Sequence, residues 1–164
     1  MEFFLREIEK ALDGGLYYLA LQASLTLPDI CGALESKNGK ADKAKYIAWF
    51  DRNAKENDPI AISGDDCYYF RCSCVHQFST QHSKSTYSRI LFLIPNGCLI
   101  AHNNIVNGAL NIDVIIFCQN MITAVRRWYS NIKDDPTFQR NQQVLIKTHP
   151  NGLPGYITGA PLIG

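Results

Sequence analysis

The amino-acid sequence predicts a mainly α-helical bundle of four to five helices with one inserted β-hairpin. Three observations predict it: apolar residues recur at helical spacing along most of the chain, residues 16–34 are apolar on nearly every side, and residues 87–106 change to β-branched and aromatic runs around a turn. The chain has 164 residues, of which 46% are hydrophobic and 19% charged. This balance suits one cored domain, so we expect a single domain over residues 1–164.

Three helices are expected in the first third of the chain. Residues 2–12 have an amphipathic pattern that ends at a pair of glycines. Residues 15–36 are expected to form the central helix, in which Pro28 causes either a kink or a split, because proline lacks the N–H donor. A polar loop follows, and residues 42–56 are expected to form a third helix with Asp42 as its N-cap.

A fourth helix is expected over residues 64–80, and a fifth over residues 111–132, where isoleucine and valine share one stripe. Ser63 and Asp66 have the spacing of a capping box at the start of the fourth helix.

Between these helices, the turn residues Pro95-Asn96-Gly97 predict a β-hairpin over about residues 87–106. The tail, about residues 136–164, has no clear period and is expected to wrap the surface or to pair briefly as strand.

Charge and hydropathy narrow the classes of function. Sixteen Lys and Arg oppose fifteen Asp and Glu, a net charge of +1, so any nucleic-acid contact must be local. The first residues lack the features of a secretory signal, and the longest apolar stretch is too short to cross a bilayer. We expect a soluble cytoplasmic protein with reduced thiols and no membrane partner.

The candidate catalytic residues are Arg71 and His76, five positions apart in the stretch FRCSCVH. On a helix, two residues with this spacing lie about 140° apart around the axis and about 7.5 Å apart along it. Ordinary helix neighbours are three or four positions apart. The spacing suggests that each side chain reaches a common groove from a different side, and a groove at a subunit interface would allow that.

The stretch from Phe70 to His76 resembles the Arg-x4-His motif of the HEPN superfamily, which comprises small helical nucleotide-binding and RNA-cleaving proteins. The predicted order of helices is similar to the family plan. Cys72 and Phe78 occupy positions where family members often have a polar residue and, in some, a tyrosine.

The resemblance implies metal-independent RNA cleavage by the ribose 2′-OH, without a cofactor. It also implies a homodimer that pairs two motifs. By family analogy the biological role would lie in a toxin–antitoxin or phage-defence system, with an antitoxin or regulatory protein as a possible partner.

Other residues could assist this site. Glu35 and Asp66 are candidate supporting carboxylates for Arg71, and Asp29 could serve in the same way, although Asp29 and Glu35 could equally lie at exposed helix ends. Arg126 and Arg127 are candidate substrate-binding residues, because the neighbouring Trp128 and Tyr129 could add stacking to their phosphate contacts. The alternative for the two arginines is a solvated helix face.

Two other interpretations compete with the ribonuclease. In the first, Arg71 makes a structural ion pair with Glu35, Asp65 or Asp66, and His76 is a core residue. The protein is then a non-catalytic HEPN-like module that binds a nucleotide or a protein.

In the second interpretation, the cysteines and histidines of residues 67–82 bind zinc. The stretch lacks a C-x2-C knuckle, and Cys72 and Cys74 would project to nearly opposite helix faces, so no metal site is predicted. A papain-like Cys-His pair lacks its local signatures.

Overall fold

Six α-helices and three small sheets make up the described part of the chain. The computed structural model describes residues 1–55, 62–95, 97 and 101–164. The helices are α1 (Glu2–Asp13), α2 (Tyr17–Leu34), α3 (Lys43–Asn53), α4 (Gly64–Gln77), α5 (Val114–Ile132) and α6 (Pro136–Asn141). The first three strands are β1 (Arg89–Leu93), β2 (Asn104–Val106) and β3 (Ala109–Asp113). The prediction of a mainly α fold is confirmed.

Helix α2 lies at the centre of the bundle, as its all-round apolar character predicts. It packs against α1, α3, α4, α5 and α6. The largest fully buried side chains come from the surrounding elements and include Trp49, Tyr46, Phe50 and Phe138. None of the described helices is long and apolar enough to span a membrane.

Pro28 does not split the central helix, because α2 runs from Tyr17 to Leu34 with Pro28 inside it. A proline at this position removes one backbone hydrogen bond from the helix. The hydroxyl of buried Tyr46 donates to the carbonyl of Leu25 at 3.1 Å, so one carbonyl in this turn of α2 has a partner on α3. The contact also joins α3 to the centre of α2.

Side-chain caps define where four of the helices begin, and at α6 the cap is Asp135. Asp42 accepts from the amide of Lys45 at the start of α3, as predicted. Ser63 accepts from the amide of Asp66 at 3.0 Å at the start of α4, which confirms the predicted cap. Asp113 accepts from the amide of Ile116 and begins α5, three residues later than the sequence predicted.

Among the described residues, the two runs of the predicted hairpin over residues 87–106 do not pair with each other. The first run does contain a strand, β1, but β1 pairs in parallel with β3, and β2 pairs antiparallel with β3, so the order is β1-β3-β2. Position 96 of the predicted turn lies outside the described residues, as do residues 98–100 of the second run.

The hairpin turn instead falls at Asn107-Gly108, which joins β2 to β3 with positive φ angles of 50° and 74°. Burial explains the choice of partners. Ile90 of β1 and Leu110 and Ile112 of β3 are buried, whereas all of β2 is exposed, so β3 takes the middle of the sheet and β2 an edge. Residues 111–113 therefore belong to β3 and not to the predicted fifth helix.

The C-terminal tail pairs briefly as strand, as predicted. After α6 and a short 3-10 turn (Gln142–Val144), β4 (Thr148–His149) pairs with β7 (Leu162–Ile163), and β5 (Gly152–Leu153) pairs with β6 (Ile157–Thr158). Phe138 of α6 is buried against Trp128 of α5, with ring centroids 5.6 Å apart. This contact anchors the tail to the bundle.

Helix α4 ends at Gln77, three residues before the predicted end at residue 80, because Phe78 adopts the left-handed conformation with φ 51° and ψ 41°. The amides of Phe78 and Ser79 both donate to the carbonyl of Ser73, which completes the helix end. Glycine usually occupies such a position, since a side chain in this conformation crowds the following carbonyl.

We expect Phe78→Gly to raise the free energy of unfolding by about 1 kcal/mol, because it relieves the left-handed strain and removes an exposed side chain. Gln77→Gly is the matched control. Gln77 is exposed and right-handed at the neighbouring position, so glycine there should lower the free energy of unfolding by up to about 1 kcal/mol. Chemical denaturation of both variants measures the difference, and equal losses would show that Phe78 is unstrained.

Candidate functional site

Arg71 and His76 lie on the last two turns of α4, where α4 packs against α2. The two helices run in opposite directions here, since Arg71 contacts Asp29 and Phe78, further along α4, contacts Tyr18 near the start of α2. The second half of α4 therefore lies along the part of α2 between Tyr18 and Asp29.

Arg71 forms an ion pair, and the structure identifies the carboxylate partner among the candidates that the sequence offered. Its Nη2 lies 2.5 Å from Oδ2 of Asp29, and the two side chains are only 20% and 14% exposed. Its Nη1 lies 3.9 Å from Sγ of Cys72 and 3.5 Å from Nε2 of His76. The buried Nε has no hydrogen-bond partner among the described residues. The guanidinium is thus fixed on one side by Asp29 and faces His76 on the other.

Burial and charge act against each other in this pair. For Asp29, burial raises the pKa and outweighs the opposing effects of Arg71 and His76. For Arg71, burial lowers the pKa, but the charge of Asp29 and the contact with Cys72 outweigh it and the net shift is upward. The 2.5 Å separation of Nη2 and Oδ2 makes this a close ion pair, in which the charge of each group stabilises the charge of the other.

His76 is exposed to solvent at the last turn of α4. Its contact with Arg71 shows that an arginine is long enough to meet a histidine five positions later on the same helix. The inference that residues five apart do not form a local helix pair is therefore wrong, and no subunit interface is needed to bring these two side chains together. The pair meets within one chain, and its open side faces solvent.

A buried polar cluster lies behind Arg71. The hydroxyl of Tyr46 and the thiol of Cys67 are 3.3 Å apart and both fully buried. Burial raises the pKa of Cys67 to about 12, so this thiol stays protonated at neutral pH. The Tyr46 and Tyr68 rings make an edge contact at 5.3 Å. This cluster fixes the side of α4 that carries Arg71 and offers no nucleophile.

Asp66 does not contact Arg71. Its carboxylate accepts from the hydroxyls of Ser63 and Ser85 at 2.8 and 2.9 Å and from the amide of Thr86 at 2.6 Å. It therefore ties the segment that follows α4 back to the start of the same helix. The role that these contacts define is to hold residues 79–88 in place.

Glu35 also lies away from Arg71. Its two carboxylate oxygens accept from Arg52 at 2.5 Å and from Nε1 of Trp128 at 2.9 Å. The residue therefore fastens the end of α2 to α3 and α5. Neither Glu35, Asp65 nor Asp66 is the partner of Arg71, and Asp29 takes that place.

Arg126 and Arg127 are on α5 and already bind protein groups. Arg126 pairs with Glu2 and Glu9 of α1 at 2.7 and 2.8 Å, and Arg127 donates to the carbonyl of Asn53 at 2.6 Å. Trp128 is only 4% exposed, so the expectation that it stacks on RNA is wrong, whereas Tyr129 is 40% exposed.

The cysteines form no metal centre in the part of the chain that the structure describes. No group of three or more histidine, cysteine or acidic residues is close enough to hold an ion there. Cys31, Cys67 and Cys118 are buried, Cys72 and Cys74 are partly buried, and none of these five forms a disulfide. Cys72 faces Arg71, whereas burial raises the pKa of the Cys74 thiol.

No protein-family model matches the chain, and no curated protein or solved structure shows significant similarity to it. The resemblance to the HEPN superfamily therefore depends on the Arg71 to His76 motif and on the order of the helices.

One signal in the sequence indicated the partner of Arg71 more strongly than the others. Asp29 is the single charged residue between positions 16 and 34, in the helix that is apolar all round. A carboxylate placed there needs a partner, because an unpaired buried charge is very costly. The sequence offered Asp29 as one of several carboxylates for Arg71 and did not choose among them.

We expect Asp66→Asn to lower the free energy of unfolding at pH 7 by about 1–3 kcal/mol, because charge-assisted bonds to Ser63, Ser85 and Thr86 are weakened. Burial raises the pKa of Asp66, but these hydrogen bonds outweigh burial and hold the pKa below its ordinary value of 3.8. The contribution is therefore present above about pH 4 and is lost as the pH falls through the lowered pKa.

The matched control for this prediction is Asp65→Asn, since Asp65 is exposed and forms a surface ion pair with Lys43. Urea denaturation between pH 7 and pH 3 compares the two variants with the unmodified protein. A difference between Asp66→Asn and the unmodified protein that does not shrink on acidification would contradict the assigned role of the charge.

Proposed function

We propose that this protein is a metal-independent endoribonuclease of the HEPN type. The observation that carries the proposal is the guanidinium of Arg71, held by Asp29 and facing an exposed imidazole at 3.5 Å. A guanidinium binds two phosphate oxygens at once, and an imidazole can take and give a proton near neutral pH. These are the two functions that cleavage of an RNA phosphodiester requires.

The proposed reaction uses a nucleophile that the RNA itself supplies. His76 removes the proton from the ribose 2′-OH, and the 2′ oxygen forms a bond to the adjacent phosphorus. The bond from phosphorus to the 5′ oxygen of the next nucleotide breaks, and that oxygen takes up a proton. The products are a 2′,3′-cyclic phosphate and a 5′-OH end, and Arg71 stabilises the negative charge that builds on the phosphate oxygens.

A homodimer would complete the set of catalytic groups. One histidine can act as the base or as the acid, but a second imidazole lets both steps occur in one transition state. Two-fold symmetry would place the two motifs on one surface. The exposure of His76 supports the proposal, because a second chain can approach the imidazole.

Arg126 and Arg127 would contact the RNA strand further from the cut. Arg126 is 41% exposed and its partners Glu2 and Glu9 are similarly exposed, so exchanging these ion pairs for phosphate contacts costs little. Arg127 would contact a phosphate either while it keeps its hydrogen bond to the carbonyl of Asn53 or after it releases that bond.

By family analogy, the enzyme would serve a toxin–antitoxin or phage-defence system and would be controlled by an antitoxin or regulatory protein.

The second candidate is a non-catalytic HEPN-like module that binds a nucleotide or a protein. The observation that favours it is the Asp29–Arg71 pair itself, since a guanidinium already neutralised by a carboxylate has less charge to offer a phosphate. In this case the role of Arg71 is to join α4 to α2, and His76 takes part in no reaction.

We expect the purified protein to cut single-stranded RNA in the presence of EDTA, to leave 2′,3′-cyclic phosphate ends and to spare DNA, which lacks the nucleophile. His76→Ala should lower the rate by about 10²–10⁴, the usual contribution of one proton-transfer group. Arg71→Lys should also lose most of the activity, because an ammonium cannot make the planar two-pronged phosphate contact. Gel analysis and end-group analysis of the products measure both effects.

The control for this experiment is His149→Ala, which changes a histidine in the tail strand β4. It should cut at the unmodified rate, and circular dichroism should show that all variants are folded. Unchanged cleavage in His76→Ala would contradict the mechanism. Loss of the fold in both Arg71→Lys and His76→Ala would favour the non-catalytic module.

We also expect the protein to behave as a dimer in solution, with twice the chain mass of 18.5 kDa in light scattering. Dilution that produces monomers should lower the cleavage rate per chain, because each monomer has a single histidine at the site. A monomer that cuts RNA at the same rate as the dimer would contradict the two-motif arrangement.

A further inference from the structure

We propose that Tyr18 and Phe78 form a stacking subsite for the base next to the phosphate that Arg71 and His76 hold. The inference rests on the proposed ribonuclease function and adds to it how a single strand lies across α2 and α4. The ligand class is an unpaired nucleobase of single-stranded RNA.

Two aromatic rings project into solvent beside the end of α4. Tyr18 is 66% and Phe78 is 73% exposed, although both are large side chains. Their ring centroids are 6.0 Å apart and their planes differ by 31°, so the rings are closer to parallel than to an edge contact. Rings at this distance are in contact with each other, so a base would stack on the solvent-exposed outer face of the pair.

The backbone at Phe78 gives a second and independent reason. Phe78 has a φ of 51°, a conformation that a bulky side chain rarely adopts and that glycine adopts freely. The helix end needs only the amide of this residue, which donates to the carbonyl of Ser73. The aromatic ring is no part of the core or of the cap, and it contacts the exposed ring of Tyr18 instead. A strained residue whose side chain stays mostly exposed is a reason to infer a function for it.

The ring pair lies within reach of the proposed site. Phe78 follows His76 by two residues and Arg71 by seven, a distance of about 10 Å along the helix from Arg71. On α2, Tyr18 and Asp29 are separated by about 16 Å along the axis. A strand with one phosphate at Arg71 would therefore carry its neighbouring base towards Phe78 and Tyr18.

Charge favours a nucleic acid as the occupant. The chain contains no aspartate or glutamate in residues 14–28 or in residues 67–112. The first half of α2 and the whole of α4 beyond its first turn come from these stretches, together with Arg71 and His76. The surface around the rings is thus free of carboxylates from its own two elements. Single-stranded nucleic acids bind where cations hold the phosphates and aromatic rings stack the bases.

The experiment measures binding without cleavage. The probe is a short RNA with 2′-O-methyl riboses, which cannot be cut, and a single 2-aminopurine, whose fluorescence falls when it stacks. In the unmodified protein the signal should be quenched on binding. Phe78→Leu should weaken binding by about 5- to 150-fold, the range for loss of one base–aromatic stack, and should abolish the quenching. Phe78→Trp should keep both, because it keeps a stacking surface.

The matched control is Tyr156→Leu, which removes another exposed ring, 84% exposed, from the tail. It should bind and quench as the unmodified protein does. Light scattering and circular dichroism of each variant show whether the dimer and the fold persist. Tyr18→Ala should reproduce the effect of Phe78→Leu, since the subsite needs both rings.

Four results would overturn the inference. Unchanged quenching in Phe78→Leu would show that the base does not stack on this ring. Equal losses in the Leu and Trp variants, accompanied by dissociation to monomers, would assign the rings to contact with a second copy. If the unmodified protein neither cuts nor binds RNA, the ribonuclease proposal fails and the subsite with it. If the protein cuts RNA and Phe78→Leu has an unchanged KM, only the subsite fails.

Discussion

Helix α2 imposes the constraint on which the rest of the fold depends. Its residues are apolar on nearly every side, so it is stable only when other elements remove most of its surface from water. Five helices of the described chain pack around α2, and Tyr18 and Leu19 in its first turn stay more than half exposed. Polar contacts then fasten the ends of the neighbouring helices: Asn141 donates to the carbonyl of Leu34, and Glu35 binds Arg52 and Trp128.

The candidate site follows from the one charge that α2 contains. Asp29 is only 14% exposed, and an unpaired carboxylate there would cost several kcal/mol, so the fold requires a cation from a neighbouring helix. Arg71 supplies it from α4. The same contact aims the guanidinium at His76, so an interaction needed for stability also produces the geometry that the proposed reaction uses. The pair is therefore consistent with both candidate functions, and the activity of the His76 and Arg71 variants separates them.

Sequence patterns predicted the helices more successfully than the sheet, for a physical reason. The helix signals are local, because caps such as Asp42 and Ser63 and the apolar period act within a few residues. Strand pairing is not local, and the chain contains Asn-Gly both at 96–97 and at 107–108. Both dipeptides favour a hairpin turn to the same degree. Burial of Ile90, Leu110 and Ile112 selected the parallel β1–β3 pair, which the local pattern could not indicate.

The sequence by itself determined the mainly helical fold, the central place of α2 and the Arg71 to His76 motif, since these depend on periodicity and on spacing along one helix. Only the tertiary structure decided the partners: Asp29 for Arg71, Trp128 for Glu35, and residues 85–86 for Asp66. A carboxylate needs some cation or donor when it is buried, and the sequence shows that need. Several groups can meet it equally well, however, and packing of the helices around α2 selects the one that comes within reach.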